Sequence, residues 1–287
     1  MKTKKILIGM MAVLFSFSSC NKEEDITTSL ITEDEASISA KLDLMNDDVS
    51  KIIEEQLNTN NRFERRSAEI NMLFVTSCPT ITTLPLDLST VRIGDEIKVT
   101  VDFGTAGCEL PNKNIVKGKV IVSFKHNPSD PLRTINYSFD NFYHNDVKIT
   151  GNKTFVRTMT TPTPSHPIIT MNMDMTATFP DGKSYTRTGS RTTEIISGYD
   201  TPGDYNDNKY NVTGSWTTTY PNKLLLNSEI TTPLLVDLSC KNFPITKGIV
   251  KLTKNNKTAT INYGNGDCDN IALLTTNNIS LSIYVGK

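Results

Sequence analysis

The side chains best suited to chemistry are few and scattered. His126, His144 and His166 are the three histidines of this 287-residue chain. None belongs to a His-Glu-x-x-His pattern or to a spaced metal-ligand set. No Gly-x-Ser-x-Gly elbow offers a hydrolase nucleophile. Four cysteines, Cys78, Cys108, Cys240 and Cys268, could serve as nucleophiles, metal ligands or bridges. They form no Cys-x-x-Cys pair, which speaks against a zinc cluster or a redox motif. The densest oxygen cluster is Asp200, Asp204, Asn206, Asp207 and Asn208. Asp-x-Asn-x-Asn opens like an EF-hand calcium loop, but Lys209 replaces the glycine at its sixth position and Ser215 the closing glutamate. These five are weak metal candidates, a solvated acidic turn is the plain alternative, and no cofactor is expected. Trp216, Tyr205, Tyr210 and Tyr220 could form a carbohydrate platform near that loop; alternate aromatics of one strand more often pack inward. Arg187 and Arg191 with Glu194 read as an ion pair on a strand face, worth little if exposed. No residue is assigned a catalytic role.

A fifth cysteine stands apart. Lys2, Lys4 and Lys5 precede an apolar run from Ile6 to Phe17, and Ser18 and Ser19 lead to Cys20. A basic start, a short apolar stretch and small residues form the signal-peptide pattern. The run falls short of the ~20 apolar residues that cross a bilayer. Phe17-Ser18-Ser19-Cys20 is similar to a lipobox, although Phe17 stands where an aliphatic residue is usual. The expected chemistry is cleavage after residues 1–19 and acylation of Cys20 (palmitate-class chains), with a membrane as partner through the lipid. Each buried CH₂ contributes ~0.8 kcal/mol, so several acyl chains anchor a soluble domain firmly. Residues 20–32 read as an acidic tether. Its start, Asn21-Lys22-Glu23-Glu24-Asp25, is similar to a surface-export signal of Bacteroidota lipoproteins.

Without residues 1–19, which carry three lysines, the net charge falls from −1 to −4. No basic field for nucleic acid remains. Residues 33–66 read as a helical spacer and linker. Thr32 and Glu35 have capping-box spacing, and Ile38, Leu42, Met45, Val49, Ile52, Ile53 and Leu57 recur at helical spacing. Asn46-Asp47-Asp48 would break this stretch into two helices.

Beyond Met72 the period becomes two. Ile97, Val99, Val101 and Phe103 alternate with polar residues, as do Ile135, Tyr137 and Phe139. The longest run is Ile169, Met171, Met173, Met175, Ala177 and Phe179. Strict alternation means half-buried strands. Further strands are expected near 120–124, 147–149, 185, 210–218, 224–231, 248–253, 258–263, 271–275 and 279–284. His144-Asn145-Asp146, Pro180-Asp181-Gly182, Asn255-Asn256 and Asn277-Asn278 supply turns. Many short strands without intervening helices predict a mainly β fold, an antiparallel sandwich or partly closed barrel over residues 70–287.

An even cysteine count outside Cys20 suggests two disulfides in an exported chain. Three connectivities are open. An internal echo favours one: Val101-Asp102-Phe103-Gly104 leads to Cys108, and Ile261-Asn262-Tyr263-Gly264 leads to Cys268 at the same offset. Pairing Cys78 with Cys108 and Cys240 with Cys268 would close two related halves, each bridge contributing ~3–4 kcal/mol in the chain-entropy picture.

Val101–Cys108, Asp140-Asn141-Phe142-Tyr143, Phe179–Arg187, Val212-Thr213-Gly214-Ser215-Trp216 and Ile261–Asn270 resemble segments of a family of β-rich Bacteroidota cell-envelope lipoproteins. That family carries no established activity. The resemblance implies an envelope address and a β-rich fold, and transfers no catalytic residue. The expectation is therefore an outer-membrane, surface-exposed, non-enzymatic binding or scaffold module. A glycan-binding or glycan-degrading component is one alternative. An apolar-ligand carrier is another, with the Ile169–Phe179 stripe lining an open cavity.

Overall fold

A computed structural model of the chain describes residues 31–63, 78–110, 113–127, 129, 132–158, 167–201, 206–241, 243–277 and 279–285, the side chains of the first segment as far as Val49. One helix, α1 (Glu33–Phe63), precedes the strands. These are β1 (Thr80–Leu84), β2 (Glu96–Asp102), β3 (Cys108–Glu109), β4 (Ile115–Lys125), β5 (Leu132–His144), β6 (Val147–Thr158) and β7 (Ile168–Thr178). There follow β8 (Ser184–Ser197), β9 (Lys209–Thr219), β10 (Leu225–Asp237), β11 (Ile245–Lys254), β12 (Lys257–Asn265), β13 (Ile271–Thr276) and β14 (Ile279–Tyr284). The fold is mainly β, as the alternation predicts.

The strands form a single antiparallel meander, ordered β1-β2-β4 and onward in sequence to β14, with β3 also paired to β4. The path has two ends, so β1 and β14 remain edges and the sheet is not closed into a barrel. One face of nearly every strand is buried, from Val101 and Val120 through Leu226 and Val250 to Ile283. A helix is about 10–12 Å across, while an eleven-residue strand runs roughly 36 Å. One helix cannot cover a sheet in which nine strands run nine residues or more, so the sheet must bend back over α1 and over itself.

Two glycines show how β8 and β9 come together. A Cβ on Gly214 (φ +137°) would lie 2.3 Å from the Ser190 carbonyl oxygen and 2.7 Å from the Arg191 Cα. One on Gly189 (φ +156°) would lie 2.4 Å from the Ser215 carbonyl oxygen. Arg191 pairs with Gly214 and Trp216 with Gly189 across the two strands. Gly214→Ala is therefore expected to cost about 1–3 kcal/mol, from backbone strain and a clash with the neighbouring strand. Urea denaturation measures it, and a loss under ~0.5 kcal/mol would mean the strands simply yield.

The helix starts as expected. The Thr32 amide donates to Glu35 Oε2 at 2.9 Å, and the Glu35 amide donates to Thr32 Oγ1 at 3.2 Å. Two expectations need correction. α1 runs unbroken through Asn46-Asp47-Asp48. Such residues interrupt helices by bonding their own backbone, but Asp47 and Asp48 bond the sheet instead. Nor is its first half a spacer: Ala36, Ala40, Leu42, Leu44, Met45 and Val49 are buried in the same core as the strands.

Cys78–Cys108 and Cys240–Cys268 are bonded, with Cα–Cα distances of 5.9 and 5.1 Å. The echo between them holds in detail. The Gly104 amide donates to Asp102 Oδ1 at 2.8 Å, and the Gly264 amide donates to Asn262 Oδ1 at 3.0 Å. Phe103 and Tyr263 are buried at matching places. The resemblance is one of strand end and turn, because the sheet runs continuously through both regions. Residues 1–19, Cys20 and the tether up to residue 30 lie outside the described residues.

Candidate functional site

α1 lies across the strands on the buried face, and its polar side chains meet them in order. Lys254, at the end of β11, donates to both carboxylate oxygens of Glu35 at 2.9 and 2.8 Å. The Tyr220 hydroxyl donates to the Glu35 carbonyl at 3.0 Å. On β8, Arg187 and Arg191 both donate to Asp43 Oδ1. Arg191 also donates to Asp47 Oδ1 at 3.1 Å. On β6, Lys153 Nζ donates to the Asn46 carbonyl at 3.1 Å. At the end of β5, His144 Nε2 lies 2.7 Å from Asp48 Oδ2, which also accepts from Asn114 Nδ2 at 2.8 Å. In each ion pair the helix supplies the acid and the sheet supplies the base.

Strand parity places the bases. Tyr185, Arg187 and Arg191 share the buried face of β8; Val250, Leu252 and Lys254 share that of β11; Ile149, Lys153 and Phe155 share that of β6. Helical geometry places the acids, since Asp43 and Asp47 are one turn apart. Trp216 on β9 stacks under both arginines, its ring centroid 4.0 Å from the Arg191 guanidinium and 5.2 Å from that of Arg187.

Burial makes this network electrically expensive. It raises the Asp47 carboxyl to about 6, against the pull of Arg191. It lowers the Lys153 ammonium to about 7, against the attraction of Asp47. It also opposes the Arg191 charge, but Asp43 and Asp47 outweigh it and hold that pKa above its ordinary value. Asp43 Oδ2, Arg191 Nε, Trp216 Nε1, Ser228 Oγ and Tyr263 Oη are shut in without a hydrogen-bond partner.

At the Asp48 end the network reaches a pocket of about 260 Å³, lined by Lys41, Leu44, Met45, Lys113, Asn114, His144 and Asn145. His144 is buried and its Nδ1 has no partner.

The sequence-based candidates fare unevenly. Arg187 and Arg191 are not a surface pair with Glu194. Glu194 is three residues past Arg191 and so on the opposite face, while the arginines are 3% and 2% exposed. Tyr210, Trp216 and Tyr220 are buried, which takes them out of any carbohydrate platform; all three sit at even positions and point inward together. In the oxygen-rich loop, Asp207 Oδ2 accepts from the Thr201 hydroxyl at 2.6 Å, and Asn208 Nδ2 donates to the Tyr210 hydroxyl at 2.9 Å. Asp200 and Asn206 are exposed there, and Asp204, Tyr205 and His166 lie outside the described residues. Among the described residues no group of three or more His, Cys, Asp or Glu could hold a metal. The stripe Ile169, Met171, Met173, Met175 and Ala177 is buried in the core.

Sequence reasoning passed over Asp43, Lys153 and Lys254, read Asp47 and Asp48 only as a helix break, and gave His144 no partner. The available signal was parity: Lys153, Arg187, Arg191 and Lys254 each sit on the apolar side of their own alternating strand, whereas a register shift between Ser138 and Phe142 turns His144 inward against the parity of Ile135, Tyr137 and Phe139. No family model matches the chain, and neither curated proteins nor solved structures yield a match.

Proposed function

We propose that this chain is a lipid-anchored protein of the cell envelope, displayed at the surface, whose β domain works as a non-enzymatic binding or scaffold module. The observation that carries the anchor is the use of the cysteines. Two disulfides consume Cys78, Cys108, Cys240 and Cys268. Of the five cysteines, that leaves Cys20, at the end of the signal-like stretch, as the thiol to be acylated. Persistent disulfides also fit an oxidising compartment outside the cytoplasm. The resemblance to Bacteroidota envelope lipoproteins supports the same address. The binding reading rests on the polar rim where α1, the residues before β4 and the β5–β6 turn meet around His144.

Cys20→Ala tests the anchor. The unaltered protein should fractionate with membranes, incorporate a labelled fatty acid and be cut by protease added to whole cells. The variant should take up no label and appear in the soluble fraction. Continued membrane association of unlabelled variant protein would sink the anchor.

A further inference from the structure

We infer that β14 is a docking edge for a second copy of this chain, the two β14 strands pairing antiparallel about a two-fold axis at Leu281. This goes beyond the binding reading and is independent of the anchor, so either can fail alone. Three features of the edge select that occupant.

The first is an unfinished core. On the inward face of β13, Ala272 and Leu274 are buried. Across from them on β14, Ile283 is buried too, but Leu281 is 42% exposed and Ile279 60%. α1 reaches β14 and still leaves this apolar row open. Among the described residues only β13 pairs with β14. Proteins usually protect such an edge with charge, proline or a bulge. Ile279–Tyr284 carries no charged residue and no proline, and its register with β13 is unbroken. The opposite edge is guarded, since β1 is five residues long and lies between Pro79 and Pro85.

The second is backbone parity. The Val285 amide donates to the Asn270 carbonyl at 2.9 Å, so in this register the odd-numbered residues of β14 bond to β13. The N–H and C=O groups of Ser280, Ser282 and Tyr284 therefore point to the free edge. Two copies share these groups only in registers that set even-numbered residues opposite even-numbered ones.

The third is sequence symmetry. Ile279-Ser280-Leu281-Ser282-Ile283 reads the same in both directions. A two-fold axis at Leu281 sets the Leu281 of one copy against that of the other, Ile279 against Ile283, and Ser280 against Ser282. The serines exchange the backbone bonds, and the apolar residues of both copies lie on one face. Such a contact is isologous and closes on itself. A parallel pairing would need one sheet turned over, which sets the apolar row of one copy beside the serine row of the other. The edge is about 20 Å long, so it hides less than the ~800 Å² per partner of a standard interface. The dimer is therefore of the weak, concentration-dependent class.

Sedimentation velocity of the full chain carrying Cys20→Ala, from about 10 μM to about 1 mM, covers the range in which weak interfaces form. A reversible monomer–dimer equilibrium is expected. Ser282→Pro deletes only an outward N–H, so it should keep the unfolding midpoint and weaken the dimer at least tenfold. Leu281→Lys sets two ammonium groups against each other at the axis and should weaken it as much. Oxidation reads the register. Leu281→Cys puts two thiols on opposed Cα atoms about 4.5 Å apart, within disulfide reach, whereas Tyr284→Cys does not face its own counterpart. The first should form cross-linked dimer at least tenfold faster than the second. A monomer throughout, a dimer indifferent to both Ser282→Pro and Leu281→Lys, open-ended assembly, or equal cross-linking rates would each overturn the inference.

Discussion

Asp43→Ala is expected to destabilise the protein by about 3–5 kcal/mol, because it leaves two buried guanidinium groups facing each other with one carboxylate fewer. Asp43 is 1% exposed, and its Oδ1 accepts from both Arg187 and Arg191. Arg187 would keep the Ser39 carbonyl at 3.1 Å and the Thr218 hydroxyl at 3.3 Å. Those partners hold Nη2 and Nε, but Nη1 loses its acceptor and the guanidinium its counter-charge. Arg191 would keep Asp47, whose own carboxyl is held near 6 by burial. The loss should fall first on the seating of α1 against β8, so amides of residues 36–49 should lose hydrogen-exchange protection before those of the sheet. Urea denaturation gives the total. Asp43→Leu combined with Arg187→Met should recover much of it, since apolar groups of similar size can replace a buried ion pair while Arg191 keeps Asp47 as its counter-charge. A cost below ~1 kcal/mol for Asp43→Ala, or no recovery in the double variant, would show that the cluster is not electrostatically coupled.

Lys153→Met is expected to stabilise the protein at pH 6 by roughly 1–4 kcal/mol, and to have little effect near pH 10.5. Lys153 is 1% exposed, and burial brings its pKa down from 10.5 to about 7. Between those values the unfolded chain holds a proton that the folded chain lacks, so stability rises with pH across that window. Below about 7 both states are protonated, and the folded one carries the full cost of a buried ammonium. Asp47 acts in the opposite sense. Its folded pKa of about 6 lies above the ordinary 3.8, so the folded state binds the extra proton and stability falls as pH rises between them. Together the two groups contribute a minimum near pH 6–7. The methionine removes the alkaline limb and, by deleting a favourable cation, extends the acid limb to higher pH. The Asn46 carbonyl loses a donor, but it can retain its helical partner four residues on. Denaturation midpoints of both proteins from pH 4 to 10.5 test this. An effect of Lys153→Met that is constant across the range would refute the assignment.

Much of the fold is legible in the residues. Alternation marks β2, β5 and β7 because a strand with one dry face must repeat every second residue. Asn255 and Asn256 adopt positive φ, as the Asn-Asn step between two strands suggests. The disulfide partners can be inferred because each pair closes over a local turn that recurs with the same Asx bond. β1 is harder to see. Thr80–Leu84 is mostly threonine and lies between prolines, and its order depends on pairing with β2.

The charge network is a different matter. A lysine at an inward position of β6, or arginines at two inward positions of β8, signal that something must meet them, without saying what. Asp43 and Asp47 read as interruptions in a helical stripe. Their partners are 144 residues away in sequence, and Asp48 is 96 residues from His144. Periodicity is a local property of the chain, so the sequence by itself determined most of the strands, the cap of α1, the turns and the inward face of Lys153, Arg187, Arg191 and Lys254; the face of His144 depends on a bulge in β5. Coulomb energy depends on distance in space and on exclusion of water. Only the tertiary structure, by laying α1 across the sheet from β11 to β5, could decide which acid meets which base and leave one imidazole nitrogen without a partner.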